Sequence, residues 1–240
     1  MKKKVILTII EIVFLIIIAV SGYNIYIWIT ENNKTSNLLE QISREIVVDE
    51  ETNTYTVDLA KLKEKNEDTV GYLDVKGTEV KYPVVQTKDN DYYLNHSFDK
   101  TASGAGWIFA DYKNKLDGTD KNIVIYGHNR RDGSMFSTLK NILTPEWYDN
   151  EENRHITFIT EQGTAIYDVF SVYQIEEEDY YIQTEFSSDA YSSFLNTITN
   201  RSIKDFKTEG KEDDSIITLS TCANDNKYRV VLHAKKHVDI

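Results

Sequence analysis

From Asp68 onward, apolar residues come in eight short runs split by turn residues, and this spacing restricts the fold more than any other feature of the chain. The runs are Val70 to Val75, Val80 to Val85, Trp107 to Ala110, Asn122 to Tyr126, His155 to Thr160, Ala165 to Ile175, Ser215 to Thr221 and Tyr228 to Lys235. Short runs of this kind, with turn signals between them, read as strands. An antiparallel sandwich or closed barrel is expected rather than an alternating parallel α/β fold, and the class is mainly β within α+β. Two helical segments interrupt the series. One is Met135 to Leu143; the other is Ser188 to about Thr199, where Tyr191, Phe194, Leu195 and Ile198 share one face.

Ahead of the strands, Leu38, Leu39, Ile42 and Ile46 have helical spacing between Asn33 and about Asp49. Asp58 is placed to cap a second short helix through Leu59, Ala60 and Leu62. Both helices are expected to dock on the domain, because the apolar stripe would otherwise face water. Met1 to Lys4 are basic and Val5 to Thr30 are almost wholly apolar, with an uncharged stretch from Ile12 to Thr30 that approaches the roughly 20 residues of a membrane-spanning helix. Glu11 is expected near the interface, where a carboxylate is tolerated. No small-x-small cleavage site follows the apolar run, so it reads as an uncleaved signal anchor. Lys2, Lys3 and Lys4 precede the span and Glu31 follows it, which puts the amino terminus in the cytoplasm and the domain outside. The expected organisation is a basic tail over residues 1–4, an anchor over 5–30, a helical segment over 31–66 and the β domain over 67–240.

The chain carries 39 acidic residues against 27 lysines and arginines, a formal charge of −12. A nucleic-acid binder would need a basic face to neutralise phosphates, so that class is excluded. One cysteine in 240 residues cannot form an internal disulfide. Stability must come from a packed core, and the thiol is either an intermolecular partner or a reactive group.

Cys222 ends the run Ser215-Ile216-Ile217-Thr218-Leu219-Ser220-Thr221-Cys222. A lone cysteine is more often a small buried hydrophobe, and its neighbours argue otherwise. His128 follows the apolar run Ile123-Val124-Ile125-Tyr126 and a glycine, at a strand exit where a loop presents a side chain on a rigid base. Arg229 shares an apolar run with Val230, Val231 and Leu232, and a guanidinium there needs a partner. It reaches Cys222 only if the last two strands pair, which the short loop between them permits. His233 sits within the final strand and reads as a hydrogen-bonded core or sheet-face residue, while His96, His155 and His237 have no supporting context.

The combination of Thr218-Leu219-Ser220-Thr221-Cys222, Tyr126-Gly127-His128, the downstream Arg229 and the amino-terminal anchor resembles a class B sortase, a membrane-bound cysteine transpeptidase of Gram-positive bacteria. The likeness runs from about Leu38 to the end of the chain. It implies an eight-stranded β-barrel with amino-terminal helices and a helix inserted between strands six and seven. It also implies that Cys222 is the nucleophile, His128 the proton-transfer partner and Arg229 the electrostatic stabiliser, with substrate contacts at Asn90, Leu94, Tyr181, Ile182 and Ser220. The implied substrates are exported proteins bearing an Asn-Pro-x-Thr type sorting signal and a peptidoglycan precursor amine of the lipid II type. Neither a metal nor an organic cofactor is implied. Glu176, Glu177 and Glu178 read as a solvated acidic loop, and Glu177 and Ala223 are given no role.

A free thiol near pKa 8.5 and a free imidazole near 6.5 favour the neutral pair by about 2.7 kcal/mol. Opposite charges ~4 Å apart attract by about 4 kcal/mol at an effective dielectric near 20, which offsets that gap, and an arginine nearby favours the thiolate further. Two other readings fit the same residues: an anchored cysteine endopeptidase that gives its thioester to water, and a non-catalytic surface module on the same barrel. An amide product formed with an added amine separates the transpeptidase from both.

Overall fold

Alternating and apolar runs pair wherever a turn lets them fold back, and here the pairing closes on itself. In the computed structural model, which describes residues 2–49, 54–176, 178–222 and 227–237, eight strands form one closed barrel. They are β3 (Thr69–Val75), β4 (Lys81–Val85), β5 (Phe109–Ala110), β6 (Asn122–His128), β7 (His155–Thr160), β8 (Gly163–Glu176), β9 (Ile216–Cys222) and β10 (Tyr228–Lys236). Each matches an expected run to within a few residues. The order around the barrel is β10-β8-β7-β3-β4-β5-β6-β9, and β9 returns to β10 to close it. Closure leaves the barrel itself without a free sheet edge. Most neighbours are antiparallel, but β4 with β5 and β6 with β9 run parallel.

The barrel core is filled from these strands by residues including Leu73, Val84, Ile125, Phe158, Leu219 and Leu232, all buried. A second cluster lies outside the barrel wall. There α4 (Ser188–Asn200), inserted between the sixth and seventh barrel strands, presses Tyr191, Phe194, Leu195 and Ile198 against Phe170, Tyr173, Ile175, Ile216 and Val231. The 3.6-residue spacing of those four apolar residues gives the helix one buried stripe.

Two expectations need correction, the first of them at the amino-terminal side. Helix α1 (Lys2–Ser43) runs unbroken from the apolar segment into the docked stripe, where Leu38, Leu39 and Ile42 meet the core, and it stops before Ile46. The residues after it form β1 (Ile46–Asp49), paired with β2 (Thr54–Val57) in an antiparallel ribbon. The run Ile46-Val47-Val48 is β-branched, and such side chains favour extended backbone over a helix. Helix α2 (Leu59–Lys65) is capped as expected: Asp58 Oδ1 accepts the Lys61 amide at 3.0 Å, and Leu62 is buried. The expected Met135 to Leu143 helix is a shorter 3₁₀ segment, Ser137–Leu143, preceded by Met135 in a left-handed conformation (φ 57°) that interrupts a continuous α-helix. A single α-turn, α3 (Pro145–Tyr148), follows it.

Beyond the apolar segment, α1 also touches two loops of the barrel. Asn32 Oδ1 accepts from Arg130 Nη2 at 2.9 Å, and Lys34 pairs with Asp99 at 3.1 Å. Arg130 is itself held by Asp132 at 2.8 Å. Burial opposes ionisation of Asp132, but hydrogen bonds from Arg130 and Ser134 keep its carboxyl below the usual aspartate range.

Candidate active site

Parallel pairing of β6 with β9 sets Tyr126 beside Ser220, Gly127 beside Thr221 and His128 beside Cys222. Two strands that run the same way end on the same side of the sheet, about 4.8 Å apart. The two residues singled out for chemistry are therefore direct partners at the barrel's rim. On the other flank of β9, β10 pairs Val231 with Ser220, and the Val230 amide donates to Thr221 Oγ1 at 2.9 Å. Arg229 faces Ile175 on β8, and its guanidinium donates to the Tyr228 carbonyl at 3.5 Å among other contacts.

His128 is half-buried, and its Nε2 lies 2.7 Å from the Leu94 carbonyl oxygen. A carbonyl only accepts, so Nε2 carries a proton and Nδ1 is left to exchange one. Glycines make this close approach possible. A Cβ on Gly106 would sit 2.7 Å from His128 Cδ2 and 2.6 Å from the Tyr93 carbonyl, and Gly106 has φ +60°. Only glycine holds that conformation without strain. A Cβ on Gly127 would strike Ile108 Cδ1 at 2.4 Å, so the strand entering His128 is packed tightly on the core.

Beside this rim lies a groove of about 260 Å³. Asn90, Leu94, Tyr181, Ile182, Ser220 and Arg229 all line it, so the five expected substrate contacts converge on one surface. Leu94 ends a 3₁₀ turn, Tyr92–Leu94, tied down where the Asp91 and Tyr92 amides both donate to Asp89 Oδ1 at 3.0 Å. Those two amides hold the Asp89 carboxyl below its ordinary pKa. Tyr181 and Ile182 belong to a second 3₁₀ turn, Tyr180–Ile182, and the Tyr181 and Ser220 hydroxyl oxygens are 3.1 Å apart. Glu177 and Ala223 lie outside the described residues, so the acidic loop is seen only at Glu176 and Glu178. His233 is buried within the sheet, as its sequence context suggests.

Sequence reasoning missed the buried Asp111. Its Oδ2 accepts from Asn90 Nδ2 and from the Tyr126 hydroxyl, each at 2.9 Å, and its Oδ1 takes the Lys113 amide. Asn90 is gripped at both ends of its amide, since its Oδ1 accepts the Tyr112 amide at 3.0 Å. The available signal was a carboxylate directly after the apolar run Trp107 to Ala110, where a charge enters the protein only with partners.

A closed eight-stranded barrel with a histidine and a cysteine paired at its rim defines a class, and comparison with known proteins gives it a name. The sortase domain family matches residues 73–237, and the chain belongs to that family of cysteine transpeptidases that sort proteins to the cell wall. It is a class B sortase. Sortase B of Listeria monocytogenes is 37% identical over 227 residues, covering 90% of each chain. A crystal structure of sortase B from B. anthracis in complex with AAEK1 superposes with a TM-score of 0.75 at 33% identity, over 88% of this chain and 98% of that one. A Staphylococcus aureus sortase B–substrate complex matches at a TM-score of 0.70 and 33% identity, over 75% of this chain and 84% of the other.

Proposed function

We propose that this sortase is anchored by α1 and cleaves an Asn-Pro-x-Thr type sorting signal through a thioester on Cys222, then passes the acyl group to the amine of a peptidoglycan precursor. The observation that carries this reading is the register of β6 and β9, which makes His128 and Cys222 partners at one end of a groove lined by Asn90, Leu94, Tyr181, Ile182 and Ser220. In this reading the Cys222 thiolate attacks the carbonyl carbon preceding the scissile bond. Arg229 and backbone amides stabilise the oxyanion. The His128 imidazolium gives its proton to the leaving amine as the carbon–nitrogen bond breaks. The incoming amine then attacks the thioester, its surplus proton goes to His128, and Cys222 leaves as thiolate.

The anchor reading is supported by α1, one helix long and apolar enough to cross a bilayer, whose residues from Val5 to Ile29 are exposed along their length. Lysines at its start favour a cytoplasmic amino terminus and an extracellular barrel.

Intact-mass spectrometry of the full chain in detergent, mixed with Asn-Pro-x-Thr peptides with and without a glycine-type amine, tests the reaction. A mass increase matching the peptide's amino-terminal fragment, converted to amide product by the amine, is the expected result. An adduct that yields only acid assigns the chain to the endopeptidases instead, and an absence of any adduct on alkylatable Cys222 removes the sorting-signal assignment.

A further inference from the structure

The reaction proposed above makes no use of His233, yet this residue is fully buried in β10 and both of its ring nitrogens have partners. The protons along those contacts can be assigned one by one. The Gln183 carbonyl can only accept, so the Asn122 atom facing it at 2.8 Å is Nδ2, and Asn122 Oδ1 is left to accept the Thr218 hydroxyl at 2.7 Å. A hydroxyl has one proton and Thr218 has committed it, so its oxygen accepts from His233 Nδ1 at 2.8 Å. Burial pushes the His233 pKa down to about 3, which keeps the ring neutral and Nε2 bare. Nε2 therefore accepts the Tyr173 hydroxyl at 2.8 Å, and the Tyr173 oxygen accepts from Tyr180 at 3.4 Å. The chain begins at Tyr180, crosses β8, β10, β9 and β6, and returns at Gln183. Both ends adjoin Tyr181 and Ile182, which line the groove.

We infer that His233 is a positioning residue for sorting-signal recognition, holding the turn at Tyr181 and Ile182 in place through this directed chain of hydrogen bonds. The inference rests on the sorting-signal reading of the groove. Packing alone does not call for a histidine, because an apolar side chain fills such a space without desolvating ring nitrogens. A buried network in which every donor is committed instead admits one arrangement of the elements it joins.

The test removes single hydroxyls from the full chain in detergent, with Tyr173→Phe, Thr218→Val and the double variant. Each single change should raise KM for the sorting-signal peptide by about fivefold to tenfold, the scale of one hydrogen bond. kcat and the rate of Cys222 alkylation by iodoacetamide should stay within about twofold of wild type, since neither depends on how tightly the wall grips the peptide. The double variant should be no worse than the weaker single, because a broken chain cannot be broken twice. Amide hydrogen exchange over residues 178–183 reads the turn without any substrate and should accelerate about tenfold in that segment alone. An unchanged KM, additive losses, or exchange that is unchanged or faster across the whole barrel overturns the inference. Should the wild type process no peptide, the sorting-signal reading of the groove has failed, and the exchange result alone decides whether the chain of hydrogen bonds holds the turn.

Discussion

Strand β9 has a histidine on each side, and the two have opposite surroundings. His128, on β6, stands at the strand's exit, half-buried, with one carbonyl on Nε2 and the thiol position as its register partner. His233, on β10, lies inside the wall with both nitrogens engaged and burial holding its pKa near 3. The first keeps one ring nitrogen clear of the carbonyl at a strand's exit, whereas the second is held neutral by its burial. Position along the strand, more than residue type, separates a histidine suited to chemistry from one suited to architecture.

Mutations can break this comparison at either end, and the largest effects belong at the rim. Cys222→Ala should abolish the peptide adduct seen by mass spectrometry. His128→Ala and Arg229→Ala should each lower kcat/KM at least ~100-fold, the loss seen when one oxyanion donor is removed, with melting temperatures close to wild type. Near-normal turnover in Arg229→Ala would remove its assigned role, and a dead His233→Ala beside an active His128→Ala would reverse the two histidines.

Inside the wall the expected loss is stability. His233→Ala leaves the Thr218 and Tyr173 hydroxyls without their partner and opens a void, at a cost of about 2–4 kcal/mol in denaturant unfolding. Acid sharpens the contrast. The unfolded chain takes up a proton on His233 near pH 6.5, whereas the fold excludes it down to about pH 3. Between those values the unfolded state binds more protons, so this residue's contribution to stability falls as pH falls, by at most about 1.4 kcal/mol per pH unit. Urea titrations at about pH 7 and about pH 4.5 should show this component in wild type and lose it in His233→Gln. The smallest effect lies far from both histidines. Asp58→Ala removes the cap of α2 and should cost about 1 kcal/mol, with the peptide reaction unchanged.

The same contrast explains what could be read from the sequence. The eight strands and α4 were legible because each carries its own pattern, alternation or a 3.6-residue stripe, within a dozen residues. The thiol, the histidine and the arginine stood out because each sits in or beside an apolar run, where a polar group needs a reason, and the pairing of β6 with β9 sets the first two side by side. The β1–β2 ribbon was not legible, since a three-residue apolar stretch after a helix fits either a last turn or a strand. Asp111 was not legible either, because Asn90 and Tyr126 reach it only after β5 and β6 have paired. The His233 chain draws on four strands and a turn, and no local pattern announces such a meeting.

Parallel pairing of β6 with β9 also has a consequence in time. Antiparallel neighbours can zip from a hairpin, whereas parallel partners must wait for the chain between them, here including β7, β8 and α4. Contacts so distant in sequence form late, after the loop-closure entropy has been met. The strand that carries the cysteine and the strand that closes the barrel are the last two of the described strands. A chain still being made, or one cut short before β9, holds a histidine with no thiol beside it. The histidine and the thiol position therefore become neighbours only once the barrel is closed.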